Sequence, residues 1–136
     1  MTSRVSATAI LLDTDVYSYV ARGDPRGAKY QPYLKNRTLC LSFATVAELY
    51  KGAYKAGWGT ARIGQMEAHL RNFVVLPFDH ELSRVCGEPM ATAERAGRRM
   101  HEFDAWIAAT AIRHGLPLAT NNTKDFIDIP GLALVP

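Results

Sequence analysis

The sequence has little of what would tie it to a membrane, an oxidising compartment or a thiol-built metal site. It holds only two cysteines, Cys40 and Cys86, each in an apolar stretch (LCLSF and RVCGE) and neither in a CxxC pair. This argues against a disulfide scaffold and a thiolate zinc centre; both are expected to be free core residues in a reducing cytoplasm. Long hydrophobic runs are missing. Near the N-terminus the apolar run Ala9–Leu12 stops at Asp13, whereas a membrane span needs about 20 such residues. No secretory leader pattern is visible, so a soluble cytoplasmic protein without membrane association is expected. Repeats, low-complexity tracts and linkers are also lacking, and 1–136 reads as one domain.

What is present is the balance of a folded protein: 48% hydrophobic and 21% charged residues. A chain of this size buries roughly two thirds of its unfolded surface and needs no covalent staple. The formal charge of +3 is modest, but its distribution is informative. Arg22, Arg26 and Lys29 follow the first acidic motif, Lys51 and Lys55 share a helix face, and Arg95, Arg98 and Arg99 precede another acidic residue. Each cluster read alone is a solvated surface. Basic groups flanking acidic ones also suit a site that draws a phosphate backbone toward a negative pocket.

Periodicity predicts strands at Ala7–Leu12, Thr38–Phe43, Phe73–Leu76, Leu116–Thr120 and Leu132–Val135. Helical spacing predicts segments at Asp13–Ala21, Ala28–Lys35, from Thr45 to Gly57, at Thr60–Arg71, and from Asp79 to about Gly97 with an interruption at Pro89. Glu102–His114 reads as a helix stopped by Gly115. Short apolar strands alternating with helices indicate an α/β fold with a parallel sheet covered on both faces. In such folds the ligand lies beyond the carboxyl ends of the strands.

That rule singles out four carboxylates. Asp13 follows the first strand directly, and Glu48 lies early in the helix after the second. Asp104 opens the long helix, and Asp125 follows the strand ending at Thr120. Each alone has an ordinary explanation as a helix cap, a dipole complement or a turn residue. Together they are predicted to meet at one sheet edge although they come from nearly opposite ends of the chain. Converging carboxylates repel unless a cation joins them, and Mg²⁺ or Mn²⁺, bound by oxygen, fits. Such an ion lowers the pKa of a bound water and offsets charge on a leaving oxygen, the requirements of phosphodiester hydrolysis. His69, His80 and His114 lack metal-ligand spacing; His101, three residues before Asp104, is within reach of the pocket.

The ordered set LLDTD (11–15), TVAELYKG (45–52), DAWIAATAIRHGLPLAT (104–120) and NNTKDF followed by PGL resembles VapC-type toxins of the PIN-domain ribonuclease family, from about Ala9 to Val135. The resemblance implies a three-layer α/β/α domain, Mg²⁺- or Mn²⁺-dependent endoribonuclease activity, a homodimer and inhibition by a cognate antitoxin. By position, Asp13, Glu48, Asp104 and Asp125 match the family's acidic quartet, and Thr14, Thr120 and Asn122 match its orienting polar residues. Asp15 stands where Asn is common and is placed among the supporting groups. Asn121 replaces a frequent Arg, His101 and Glu102 occupy a stretch often reading Gly-Pro, and Pro89 falls in a region usually helical. The aromatics Tyr17, Tyr50, Tyr54 and Trp58 exceed what a small core needs, and a groove for an antitoxin helix or a dimer contact is one use for them.

Two other readings compete. Asp13-Thr14-Asp15 looks like the D-x-D opening of haloacid-dehalogenase-type phosphatases, but Tyr17 departs from that pattern and the chain is short for the fold. A catalytically inactive RNA- or protein-binding module with a vestigial pocket is the non-enzymatic alternative. Its weakness is the intact quartet.

Overall fold

The computed structural model describes residues 8–135. Its sheet has four parallel strands in the order β3-β2-β1-β4: β1 (Ala9–Leu12), β2 (Thr38–Ser42), β3 (Val74–Leu76) and β4 (Leu118–Ala119). Around it lie α1 (Thr14–Arg22), α2 (Gln31–Leu34), α3 (Phe43–Lys55), α4 (Thr60–Leu70), α5 (His80–Arg95) and α6 (Glu102–His114). Short 3₁₀ helices cover Pro25–Tyr30 and Thr123–Phe126.

The central strand β1 is buried along its whole length, and alternation sends its side chains to opposite faces. Ala9 and Leu11 join a core with Ile107, Ala108, Leu118 and Phe126. Ile10 and Leu12 join a second with Val16, Tyr17, Leu34 and Leu41. Apolar residues on both faces force helices onto both sides, and the three-layer α/β/α expectation is met. Cys40 and Cys86 are free and buried, as expected. Among the described residues no helix is long and apolar enough to cross a membrane.

Several boundaries differ from the sequence reading. The segment expected as a helix over Ala28–Lys35 is a 3₁₀ turn running into the four-residue α2. Asp24 caps the first piece and Pro32 restarts the second. α3 starts at Phe43, two residues before Thr45, because Ser42 Oγ accepts the Ala44 N–H at 3.0 Å and so caps it. Pro89 does not interrupt α5, which runs unbroken to Arg95. Leu82 and Cys86 pack against Ala105 and Ala109 of α6, and that burial outweighs the ~3 kcal/mol cost of an internal proline. The strand expected at Leu132–Val135 contracts to one bridge, Leu118 to Leu134. Ala7, expected in the first strand, lies outside the described residues.

Candidate functional site

The site assembles where β1, β2 and β4 end. The backbone N–H of Asp13 donates to the Ala119 carbonyl at 2.9 Å, so the outgoing ends of β1 and β4 are joined at this residue. Asp13 is then the N-cap of α1: the Thr14 N–H donates to its Oδ1 at 2.7 Å. The Thr120 hydroxyl donates to its Oδ2 at 2.7 Å. Thr120 Oγ1 in turn accepts the Asn122 N–H at 3.0 Å. Asp13 is only 5% exposed, so its orientation is fixed from two directions.

Glu48 is anchored from α1. The Thr14 hydroxyl donates to Glu48 Oε1 at 2.6 Å and lies 3.0 Å from Thr45 Oγ1. Thr45 is fully buried and was not singled out in the sequence. The signal available was its position one helical turn before Glu48, which places both on one face of α3. Asp15 sits in the first turn of α1, its Oδ1 accepting the Val16 N–H at 2.7 Å. Asp104 is half-buried in the first turn of α6. Asp125 is exposed in the final 3₁₀ turn, its N–H donating to the Asn122 carbonyl at 3.0 Å. Asn122 thus supports the site through its backbone N–H and carbonyl, a role its side-chain chemistry did not announce. His101 caps α6, its Nδ1 accepting the Phe103 N–H at 3.3 Å.

Electrostatics show how closely these groups communicate. Burial pushes the Asp13 carboxyl up to about 7; the charges of Asp15 and Asp104 add to the rise, and its hydrogen bonds from Thr120 and Thr14 oppose it. Burial also raises Asp104, with Asp125, Glu48 and Asp15 pushing the same way. Asp15 is raised by burial and by Asp125, against the pull of backbone N–H groups including that of Asn121. Asp104 thus feels Glu48, Asp125 and Asp15, and Asp13 feels Asp15 and Asp104. Among the described residues no salt bridge reaches any of them; the ion pairs involve Asp24, Asp79 and Glu81.

The gathering is nonetheless looser than a finished cage. Among the described residues no three His, Cys, Asp or Glu side chains stand close enough to form a ready ligand set. Glu48 is turned toward Thr14 and Asp13 is committed to Thr14 and Thr120. The donor set still fits a hard divalent cation: it is all oxygen, lies toward the outgoing ends of the strands, and includes the buried Asp13, with no ion pair to any member among the described residues.

Two further features surround the site. A groove of about 450 Å³ lies between α1, α3 and α4, lined in part by Tyr17, Leu49, Trp58, Met66 and His69. Of the four aromatics noted in the sequence, Tyr17 and Trp58 line this groove, while Tyr50 and Tyr54 stack on each other along α3. On the opposite side of α1, Asn121 meets the hydroxyls of Tyr30 and Tyr19.

Comparison with known proteins agrees with this architecture. The family profile of the PIN domain matches residues 10–132. The "tRNA(fMet)-specific endonuclease VapC" of Shigella flexneri is 30% identical over 122 residues, covering 90% of this chain and 92% of that one. VapBC2 from Rickettsia felis, solved bound to a DNA fragment from its promoter, superposes with a TM-score of 0.81 at 27% identity, covering 93% of this chain and 97% of the other. A toxin–antitoxin complex from Klebsiella pneumoniae superposes with a TM-score of 0.71 at 27% identity, covering 91% and 95%. With a parallel sheet, a strand-end acidic cluster and these relatives across nearly its whole length, the chain belongs to the PIN-domain family, among the VapC ribonucleases.

Proposed function

We propose that this protein is a metal-dependent endoribonuclease acting as the toxin of a toxin–antitoxin pair, and that Asp13, Glu48, Asp104 and Asp125 are its metal-holding and catalytic carboxylates. The observation that carries the reading is Asp13: a buried carboxylate locked by Thr14 and Thr120, raised by the charges of Asp15 and Asp104, and in no ion pair among the described residues. Bound there directly or through water, Mg²⁺ or Mn²⁺ would lower the pKa of a water molecule and offset charge on the leaving oxygen of a phosphodiester.

The chain's own residues supply the positioning. Thr120 and the Thr14 N–H keep Asp13 from turning away, and the Thr14 hydroxyl, backed by Thr45, holds Glu48. Asp104 and Asp125 approach from α6 and the last 3₁₀ turn. The N-terminal turn of α6, capped by His101 and carrying Asp104, contributes partial positive charge that favours carboxylates and an incoming phosphate. Asp15 and Asn122 complete the supporting ring.

The antitoxin and a homodimer belong to the same proposal. The groove lined by Tyr17 and Trp58 has the apolar floor that a partner helix would fill, and light scattering of the purified protein reads the dimer. PIN-family membership sets aside the phosphatase reading. The inactive-module alternative is decided by incubating purified protein with transfer RNA and with a phosphate monoester, each in Mg²⁺ and in EDTA. RNA cleavage that EDTA stops supports the nuclease; intact RNA in Mg²⁺ and in Mn²⁺ overturns it.

A further inference from the structure

An acidic site that cuts a polyanion needs cationic groups nearby, and the chain offers several exposed ones. Arg26 differs from the others in how it is held. Its Nε donates to Asp24 Oδ1 at 3.1 Å and its Nη2 to Asp24 Oδ2 at 2.7 Å. Its guanidinium lies 4.4 Å from the centre of the Tyr19 ring. An exposed arginine ordinarily loses rotamer entropy on binding a phosphate; one clamped by a carboxylate fork and an aromatic face has lost it already. The fork uses one edge of the guanidinium, leaving Nη1 and a second Nη2 hydrogen free to donate.

The clamp leads to the site through Asn121. The Asn121 Nδ2 lies 3.5 Å from the Tyr19 hydroxyl, and the Tyr30 hydroxyl donates to Asn121 Oδ1 at 3.2 Å. Asn121 directly follows Thr120, which holds Asp13. Tyr30 is itself buried, with the Lys29 Nζ 5.2 Å from its ring centre, so its part is to hold Asn121. An accessible aromatic face carrying a cation beside a backbone-cutting site, as Tyr19 carries Arg26, is the chemistry of a single-stranded nucleic-acid track. Resting on the nuclease reading above, we propose that Arg26, set by Asp24 and Tyr19, is a positioning residue that binds a phosphate of the RNA strand flanking the one to be cut, and that the accessible Tyr19 and Asn121, with buried Tyr30 holding Asn121 in place, lead that strand to the carboxylates.

The test compares wild type, Arg26→Ala and Arg84→Ala on a labelled short single-stranded RNA of mixed sequence. Binding is followed by fluorescence anisotropy across a KCl series, and cleavage by KM and kcat in Mg²⁺. Arg84 is a matched control: it too is exposed and paired with a carboxylate, Glu81, one turn away. It lies on α5, whose start is tied by Arg113–Asp79 to the end of α6 opposite Asp104. The expected result is that Arg26→Ala binds severalfold more weakly and raises KM with kcat nearly unchanged. The slope of log affinity against log salt should become shallower by about 0.7, the loss of one phosphate contact on a single strand. Arg84→Ala should match wild type. Binding and cleavage by Arg26→Ala equal to wild type, or a loss with an unchanged salt slope, overturns the proposal and leaves the nuclease reading standing. Wild-type protein that neither binds nor cuts the RNA overturns both.

Discussion

Asp13 concentrates the physics of the site in one side chain. Its folded pKa of about 7 lies well above the unfolded value of 3.8, so the folded protein binds a proton more tightly than the unfolded chain. The contribution is fully present below the unfolded pKa and lost as pH rises through the folded one. Asp15 and Asp104 are raised in the same direction. In EDTA, stability measured by urea unfolding is therefore expected to fall from about pH 5 to pH 8. With saturating Mg²⁺ the fall should be shallower, because a cation stabilises the ionised form. A flat or rising EDTA profile would contradict the burial of uncompensated charge. Thr120 offers a second test at this scale. Thr120→Val removes the hydroxyl that holds Asp13 Oδ2 while keeping the side chain's shape. Activity should drop by about 10- to 100-fold, the usual cost of losing a ligand's supporting hydrogen bond, with the protein still folded. Undiminished cleavage would show that Asp13 needs no such orientation.

At the scale of elements, the alanines of α6 decide how the layers meet. Ala105, Ala108, Ala109 and Ala111 are all buried, and their small size lets α6 lie close against both the sheet and α5. Ala109→Leu should destabilise by about 1–3 kcal/mol through overpacking, read as a lower midpoint in urea. A neutral effect would mean the α5–α6 contact has slack. This helix was also the most legible element: its bounds, Glu102–His114, match the sequence reading, because periodicity, an acidic first turn and the αL glycine Gly115 agreed. Where such signals conflict, local reasoning fails. Pro89 announces a break that tertiary burial overrides, and Thr45 looks like a helix start although Ser42 is the cap. The expected last strand is reduced to the bridge at Leu134, a matter of pairing that no local pattern records. The same holds within the site. Strand-end position and family pattern are what nominate the four carboxylates with Thr14, Thr120 and Asp15. The buried support of Thr45 and the backbone role of Asn122 depend on distances between elements.

For the whole molecule, the sheet works as a device for bringing together charges that the chain keeps far apart. β1, β2 and β4 deliver Asp13, Glu48 and Asp125 to one edge, and the crossover through α6 returns Asp104 to it. Folding thus works against electrostatic repulsion, and any ion that relieves it stabilises the native state by mass action. Millimolar Mg²⁺ or Mn²⁺ should raise the melting temperature, by an amount that grows with ion concentration and vanishes in EDTA. Equal melting curves with and without the ions would indicate that the carboxylates do not act as a cation site.

The most direct test of that claim is a calorimetric titration of Mn²⁺ into wild type and into Asp104→Asn, with circular dichroism confirming that both are folded. Wild type is expected to bind Mn²⁺ saturably, and the variant at least tenfold more weakly. Identical Mn²⁺ isotherms for the two folded proteins would contradict that claim.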